Sequence, residues 1–180
     1  MSTTTKNKFS TYLLVLTALF ATLTYVAGLI RLPIGPVPFT LQTAVVIMAG
    51  ILLSPTAAFL SQLIHFFLQF ILGGGIALFL SPTFGFILGF MVMAFVISLA
   101  VRRLSKATFL NLLVIAIIGE VILYLIGLPY MAYILLQVKG LDMGLMAILN
   151  AGLIPFILPD LAKAVLAIVI ALRIKPRVNL

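Results

Sequence analysis

The chain of 180 residues has no cysteine, a single histidine and only three acidic residues. Without cysteine there is no disulfide frame, no thiolate chemistry and no cysteine-held metal. One histidine, His65, excludes a multi-histidine metal site, and no metal is expected. Charge of either sign is scarce, at 8% of residues against about one quarter in a soluble domain. Catalytic signatures are missing as well: the sequence contains no GK[ST] phosphate loop, no HExxH, no G-x-S-x-G with a histidine partner and no paired intramembrane aspartates. No catalytic residue and no cofactor are therefore expected, and any ATP hydrolysis has to come from another chain.

What the chain has in excess is apolar surface. It is 64% hydrophobic, with a mean hydropathy of +1.38. A core built from 180 residues cannot enclose that much, so lipid must be the solvent for much of it. About 20 residues of helix cross the hydrocarbon layer. The hydropathy pattern predicts six spans, at about 10–30, 41–54, 57–73, 83–101, 109–127 and 158–174. The second is short and ends at Ser54-Pro55, which makes spans 2 and 3 a tight hairpin. The expected fold is all-α, one membrane-embedded unit covering 1–180. No A-x-A site follows the polar start MSTTTKNKFS, so no removable signal peptide is expected.

The net charge of +8 is an orientation signal rather than a nucleic-acid footprint, because the cations lie at span ends and not along one face. With a cytoplasmic N-terminus, Lys6, Lys8, Arg102, Arg103, Lys106, Arg173, Lys175 and Arg177 fall inside, while Arg31 and Lys139 fall outside. That asymmetry predicts a multi-pass protein of the cell membrane with both termini cytoplasmic. Two long connections then lie outside. The second, 128–157, is too apolar for a solvated loop. Its Gly140-Leu141-Asp142 turn divides it into two segments of about a dozen residues, which suit re-entrant or surface-lying helices. Two further, poorly formed spans are the alternative.

Against this background Asp160 and Lys163 stand out. They sit at i and i+3 at the head of the last span, after Pro159, and share one helix face. An ionisable residue in a span is a functional candidate by default; a mutual ion pair that anchors the helix at the interface is the alternative. Glu120 lies mid-span and suits either a coupling group or a hydrogen bond to a neighbouring helix. Gln62, His65 and Gln69 form a polar stripe on span 3 that reads as helix-to-helix hydrogen bonding.

The first outer loop, RLPIGPVPFT (31–40), is stiffened by Pro33, Pro36 and Pro38. A preorganised loop loses less entropy on closing over a ligand. Thr40 and Gln42 offer a hydroxyl and an amide where it re-enters the membrane, and Arg31 suits either a vestibule guard or an interfacial anchor. On span 1, Thr17 with Ala21 and Ala18 with Thr22 are small-xxx-small pairs that suit docking of a partner membrane protein.

Three stretches, LPIGPVPFTLQTAVVIMAGILLSP (32–55), LFLSPTFGFILGF (78–90) and GLPYMAYIL through LIPFILPDLAKAVLAIVIALRI (127–174), resemble the BioY family of biotin-specific capture subunits of energy-coupling-factor transporters. The resemblance implies a six-helix substrate-binding protein whose partners are a transmembrane coupling protein and two cytoplasmic ATPase subunits. It implies that Asp160 and Lys163 contact the ligand, with Phe39, Phe84 and Phe86 as apolar walls. The region before span 4 is shorter and more apolar than the family's usual glycine loop, which leaves lipoate, another carboxylic acid with an apolar body, as the alternative ligand. A self-contained ion-driven carrier coupled through Glu120 is the rival of a different class.

Overall fold

The computed structural model describes residues 11–175. Those residues form seven α-helices: α1 Thr11–Leu29, α2 Gln42–Leu52, α3 Pro55–Gly73, α4 Phe84–Arg102, α5 Phe109–Tyr133, α6 Leu145–Gly152 and α7 Ile157–Ile174. Short 3-10 segments, Gly75–Leu80 and Ile154–Phe156, precede α4 and α7. Among the described residues there is no strand, only an isolated bridge between Leu32 and Phe39.

Five helical stretches are long and apolar enough to cross a membrane: 11–29, 55–73, 84–102, 109–138 and 145–174. Their outer faces carry large exposed apolar side chains, such as Leu14, Val15 and Val26 on α1 and Leu110 and Leu125 on α5. In water each would forfeit about 25 cal/mol per Å² left unburied; in hydrocarbon it does not.

Helix α2 differs. Its 11 residues rise about 16 Å, roughly half the hydrocarbon thickness. It compensates by being central: Val46, Ile47 and Ala49 are wholly buried, and the helix packs against α1, α4 and α7. A Cβ at Gly50 would lie 2.7 Å from Ile97 on α4, so only glycine permits this approach. Ser98 on α4 donates to the Leu53 carbonyl at 2.6 Å, satisfying an orphan acceptor at the end of α2. Ser54 then caps α3 by accepting from the Ala57 amide, with Pro55 in the first turn.

The α4–α5 pair is equally close. A Cβ at Gly89 would stand 3.2 Å from the Leu123 carbonyl, and one at Gly119 would stand 2.7 Å from Ile97. Small residues let membrane helices approach at backbone distance.

One boundary differs from expectation. The fifth span does not end at 127. It runs through Pro129 to Tyr133, then through a π turn to Val138. Proline removes one backbone hydrogen bond, and the surrounding helices tolerate the loss. The stop comes at Gly140, whose φ of 65° lets the Leu141 amide reach the Leu135 carbonyl at 3.0 Å, a Schellman-type end. The first of the two expected outer segments is therefore the top of α5, and only the second, α6, is a separate short helix. The expected docking pairs on α1 also split. Thr17 and Ala21 are buried within the protein, while Ala18 and Thr22 are exposed. Successive helical positions lie 100° apart, so both pairs cannot face one partner; Thr17 and Ala21 are unavailable to it.

Candidate functional site

At the end of the bundle that carries the 31–40 loop lies a cavity of about 220 Å³. The loop contributes Arg31, Pro38 and Thr40 to its wall, and α2 contributes Gln42. Phe86, Ile87 and Phe90 of α4, with Leu123 of α5, form an apolar side. Tyr124, Asp160 and Lys163 form a polar one. Polar and apolar residues share the lining about equally, so the site is more polar than the usual small-molecule pocket, which is mostly apolar with a few placed polar groups.

Asp160 and Lys163 are 4% and 6% exposed, so their charges are desolvated and must be compensated. They pair with each other, as their i and i+3 spacing on α7 allows. The Tyr124 hydroxyl, on α5, donates to Asp160 Oδ2. Oδ1 meets the Lys163 ammonium as an ion pair but accepts no hydrogen bond of regular geometry. Both oxygens are thus engaged, Oδ2 by the hydrogen bond and Oδ1 by the ion pair.

Lys163 is more fully engaged. Its Nζ donates to the Thr40 carbonyl at 3.0 Å, and it lies 4.5 Å from the centroid of the Phe39 ring, within cation–π range. One ammonium thus links α7 to the first loop. The loop is preshaped by paired backbone hydrogen bonds between Leu32 and Phe39, at 3.0 and 2.9 Å, and by a left-handed Gly35 with φ of 88°. Arg31 Nε donates to the Gly28 carbonyl at 2.6 Å, fixing the guanidinium at the cavity rim.

The polar stripe on α3 divides its work. Gln62 donates toward Thr24 of α1 at 3.4 Å. His65 lies 3.0 Å from Gln42 on α2. Gln69 lines the cavity.

Of the anticipated ligand contacts, Thr40, Gln42, Phe86, Asp160 and Lys163 come together around the cavity. Phe39 stands behind the ammonium instead of on the wall. Phe84 points elsewhere. Its ring packs on Phe66, Phe79 and Tyr130, with centroids 6.0, 4.8 and 5.4 Å away. Two helical residues apart, Phe84 and Phe86 point about 200° apart, so one cavity cannot take both. The Phe84 cluster supports the 3-10 segment Gly75–Leu80, and Tyr130 donates to the Phe79 carbonyl at 2.6 Å. Tyr124 was not anticipated from sequence. In GEVILYLIGL its only cue is the four-residue spacing from Glu120, which puts both on one face. Ser81 and Thr83, hydrogen-bonded to each other at 2.7 Å, also line the cavity and belong to the segment read as more apolar than the family's usual glycine loop.

The comparisons with known proteins follow the same outline. A sequence model of the BioY family matches residues 2–180. The chain is 37% identical over 176 residues to the "Biotin transporter BioY" of Rhizobium etli, covering 88% of this chain and 90% of that protein. It is 36% identical over 167 residues to the "Probable biotin transporter BioY" of Pyrococcus horikoshii, covering 89% and 94%. The crystal structure of the S-component for biotin from an ECF-type ABC transporter aligns with a TM-score of 0.79 at 27% identity, over 92% of this chain and 91% of that one. A family match from residue 2 to the last residue, carried by the same helical frame, leaves one assignment: the chain belongs to the BioY family.

Proposed function

We propose that this chain captures biotin at the outer face of the cell membrane, as the substrate-specific subunit of an ATP-driven energy-coupling-factor importer. The observation that carries the reading is the buried Asp160–Lys163 pair on the wall of the cavity. A carboxylate oxygen accepts from N–H groups, and the ureido ring of biotin presents two. The Lys163 ammonium beside it complements a carbonyl or carboxylate oxygen. The wall of Phe86, Ile87, Phe90 and Leu123 suits a thioether ring and an acyl chain. The names of the relatives favour biotin over lipoate.

In this reading the chain is a single membrane-embedded substrate-binding unit. The short α2 and the loop before it together count as the second of six crossings. The excess of Lys and Arg at the span ends away from the 31–40 loop supports a reading in which both termini are cytoplasmic. A transmembrane coupling protein and two cytoplasmic ATPase subunits supply the energy, with Ala18 and Thr22 on the exposed face of α1 as contacts for the former.

Calorimetric titration of the purified protein with biotin and with lipoate tests the reading. Saturable binding of biotin, with lipoate far weaker, is expected. Saturation by lipoate while biotin is ignored would replace the ligand. Biotin uptake into vesicles holding this chain alone, driven by an ion gradient, would replace the mechanism.

A further inference from the structure

Behind the cavity wall, His65 is completely buried and contacts a residue that lines the cavity. Its Nε2 lies 3.0 Å from the side-chain nitrogen of Gln42, its Nδ1 has no hydrogen-bond partner, and its ring leans on Phe90 with centroids 6.1 Å apart. On the other side of the amide, the Thr40 hydroxyl lies 3.1 Å from Gln42 Oε1 and 3.4 Å from the Gln42 backbone nitrogen. The amide has little room to leave this place: a Cβ at Gly28 would meet Gln42 Nε2 at 2.6 Å.

Two arrangements fill this geometry, related by exchanging the oxygen and nitrogen of the amide. In the first, Gln42 Nε2 donates to His65 Nε2. An amide nitrogen can only donate, so the imidazole must carry its proton on Nδ1, where it becomes a buried N–H with no acceptor. In the second, His65 carries its proton on Nε2 and donates to the amide oxygen. Nδ1 is then an unused lone pair. A buried donor without an acceptor is the rarer and costlier defect, which selects the second arrangement.

The choice reverses what the cavity offers. In the first arrangement the Thr40 hydroxyl is spent on the amide oxygen. In the second, the amide N–H donates to the Thr40 oxygen, which frees the hydroxyl proton, and the second amide N–H remains available. We propose that His65 is a positioning residue: by donating from Nε2 it turns the Gln42 amide, so that the Thr40–Gln42 edge presents donors to an acceptor oxygen of the ligand. Asp160, linked to the Thr40 carbonyl through the Lys163 ammonium, presents an acceptor, so neighbouring groups of opposite polarity orient a ligand that has donors at one place and acceptors at another. The inference rests on the cavity being the ligand site, as proposed above.

His65 is the only histidine, so selective ¹⁵N-histidine labelling, with a histidine-free purification tag, reports on this ring alone. NMR of the labelled protein in nanodiscs is expected to show a proton on Nε2 and a bare Nδ1. A proton on Nδ1 overturns the proposal. This measurement needs no ligand, so it stands even if wild-type protein ignores biotin, a result that would sink the functional reading alone. In biotin titrations, His65→Gln places an amide N–H near the Nε2 position and is expected to stay within about threefold of wild type, whereas His65→Leu is expected to bind about tenfold more weakly. Equal affinity for His65→Leu and wild type, or equal loss in both variants, overturns the role.

Discussion

The Lys163 ammonium and the Thr40 carbonyl, 123 residues apart in sequence, meet at 3.0 Å. This bond, with the Phe39 ring beneath the same ammonium, joins the first loop to the last helix. Replacing Lys163 with methionine keeps the aliphatic stem and removes the charge. It also leaves Asp160 buried without its counter-ion, a change that costs about 3–5 kcal/mol in typical buried pairs. Lys163→Met is expected to lower the melting temperature and to accelerate amide exchange in residues 32–39, read by mass spectrometry. Unchanged exchange in the loop would refute the linkage.

Tyr124 supplies the hydrogen bond to Asp160 that comes from another helix. A hydrogen bond to a charged group is worth about 1.5–3 kcal/mol. Tyr124→Phe is expected to weaken biotin binding by about 10- to 100-fold in calorimetric titration, with the helical circular-dichroism spectrum unchanged.

Phe84 and Phe86 provide an internal control. Both are buried, and truncating a buried Phe to Ala typically costs about 3–5 kcal/mol, so both variants are expected to melt lower. Only Phe86 lines the cavity. Phe86→Ala is expected to lose biotin affinity by about tenfold or more, and Phe84→Ala to stay within about threefold. Matching affinity losses would show that Phe84 reaches the ligand.

Two glycines separate packing from backbone strain. At Gly89 a Cβ would stand 2.7 Å from a Leu123 methyl and 3.2 Å from the Leu123 carbonyl, and helix backbone does not yield easily. Gly89→Ala is expected to destabilise by about 1–3 kcal/mol. Gly35 has open space around it but a φ of +88°. Gly35→Ala introduces a left-handed penalty of about 1–2 kcal/mol confined to the loop. It is expected to raise the biotin dissociation rate, measured by stopped flow, with little change in melting.

These particulars show what the sequence made legible. The Asp160–Lys163 pair was readable because charge in an apolar run is expensive and therefore conspicuous. Thr40 and Gln42 were readable because a proline-stiffened loop delivers them to a helix start. Tyr124 was not, since an aromatic in an apolar helix looks the same facing lipid, core or ligand. The phenylalanines show a similar gap: composition says that a wall is aromatic, whereas the 100° step between residues decides which ring is the wall. The end of α5 was placed too early, at 127: Pro129 removes a backbone hydrogen bond, yet the surrounding helices carry the chain through it to Tyr133 and the π turn that ends at Val138.

The α4–α5 side of the cavity is close-packed, with Gly89 against the Leu123 backbone and Gly119 against the Ile97 side chain. The opposite side is a ten-residue strap, 31–40, secured by side-chain contacts. Thr40 belongs to that strap and also lines the cavity, and the ammonium that secures it is part of the same wall. Access and fit therefore share the same few contacts, so a sequence change there alters both together.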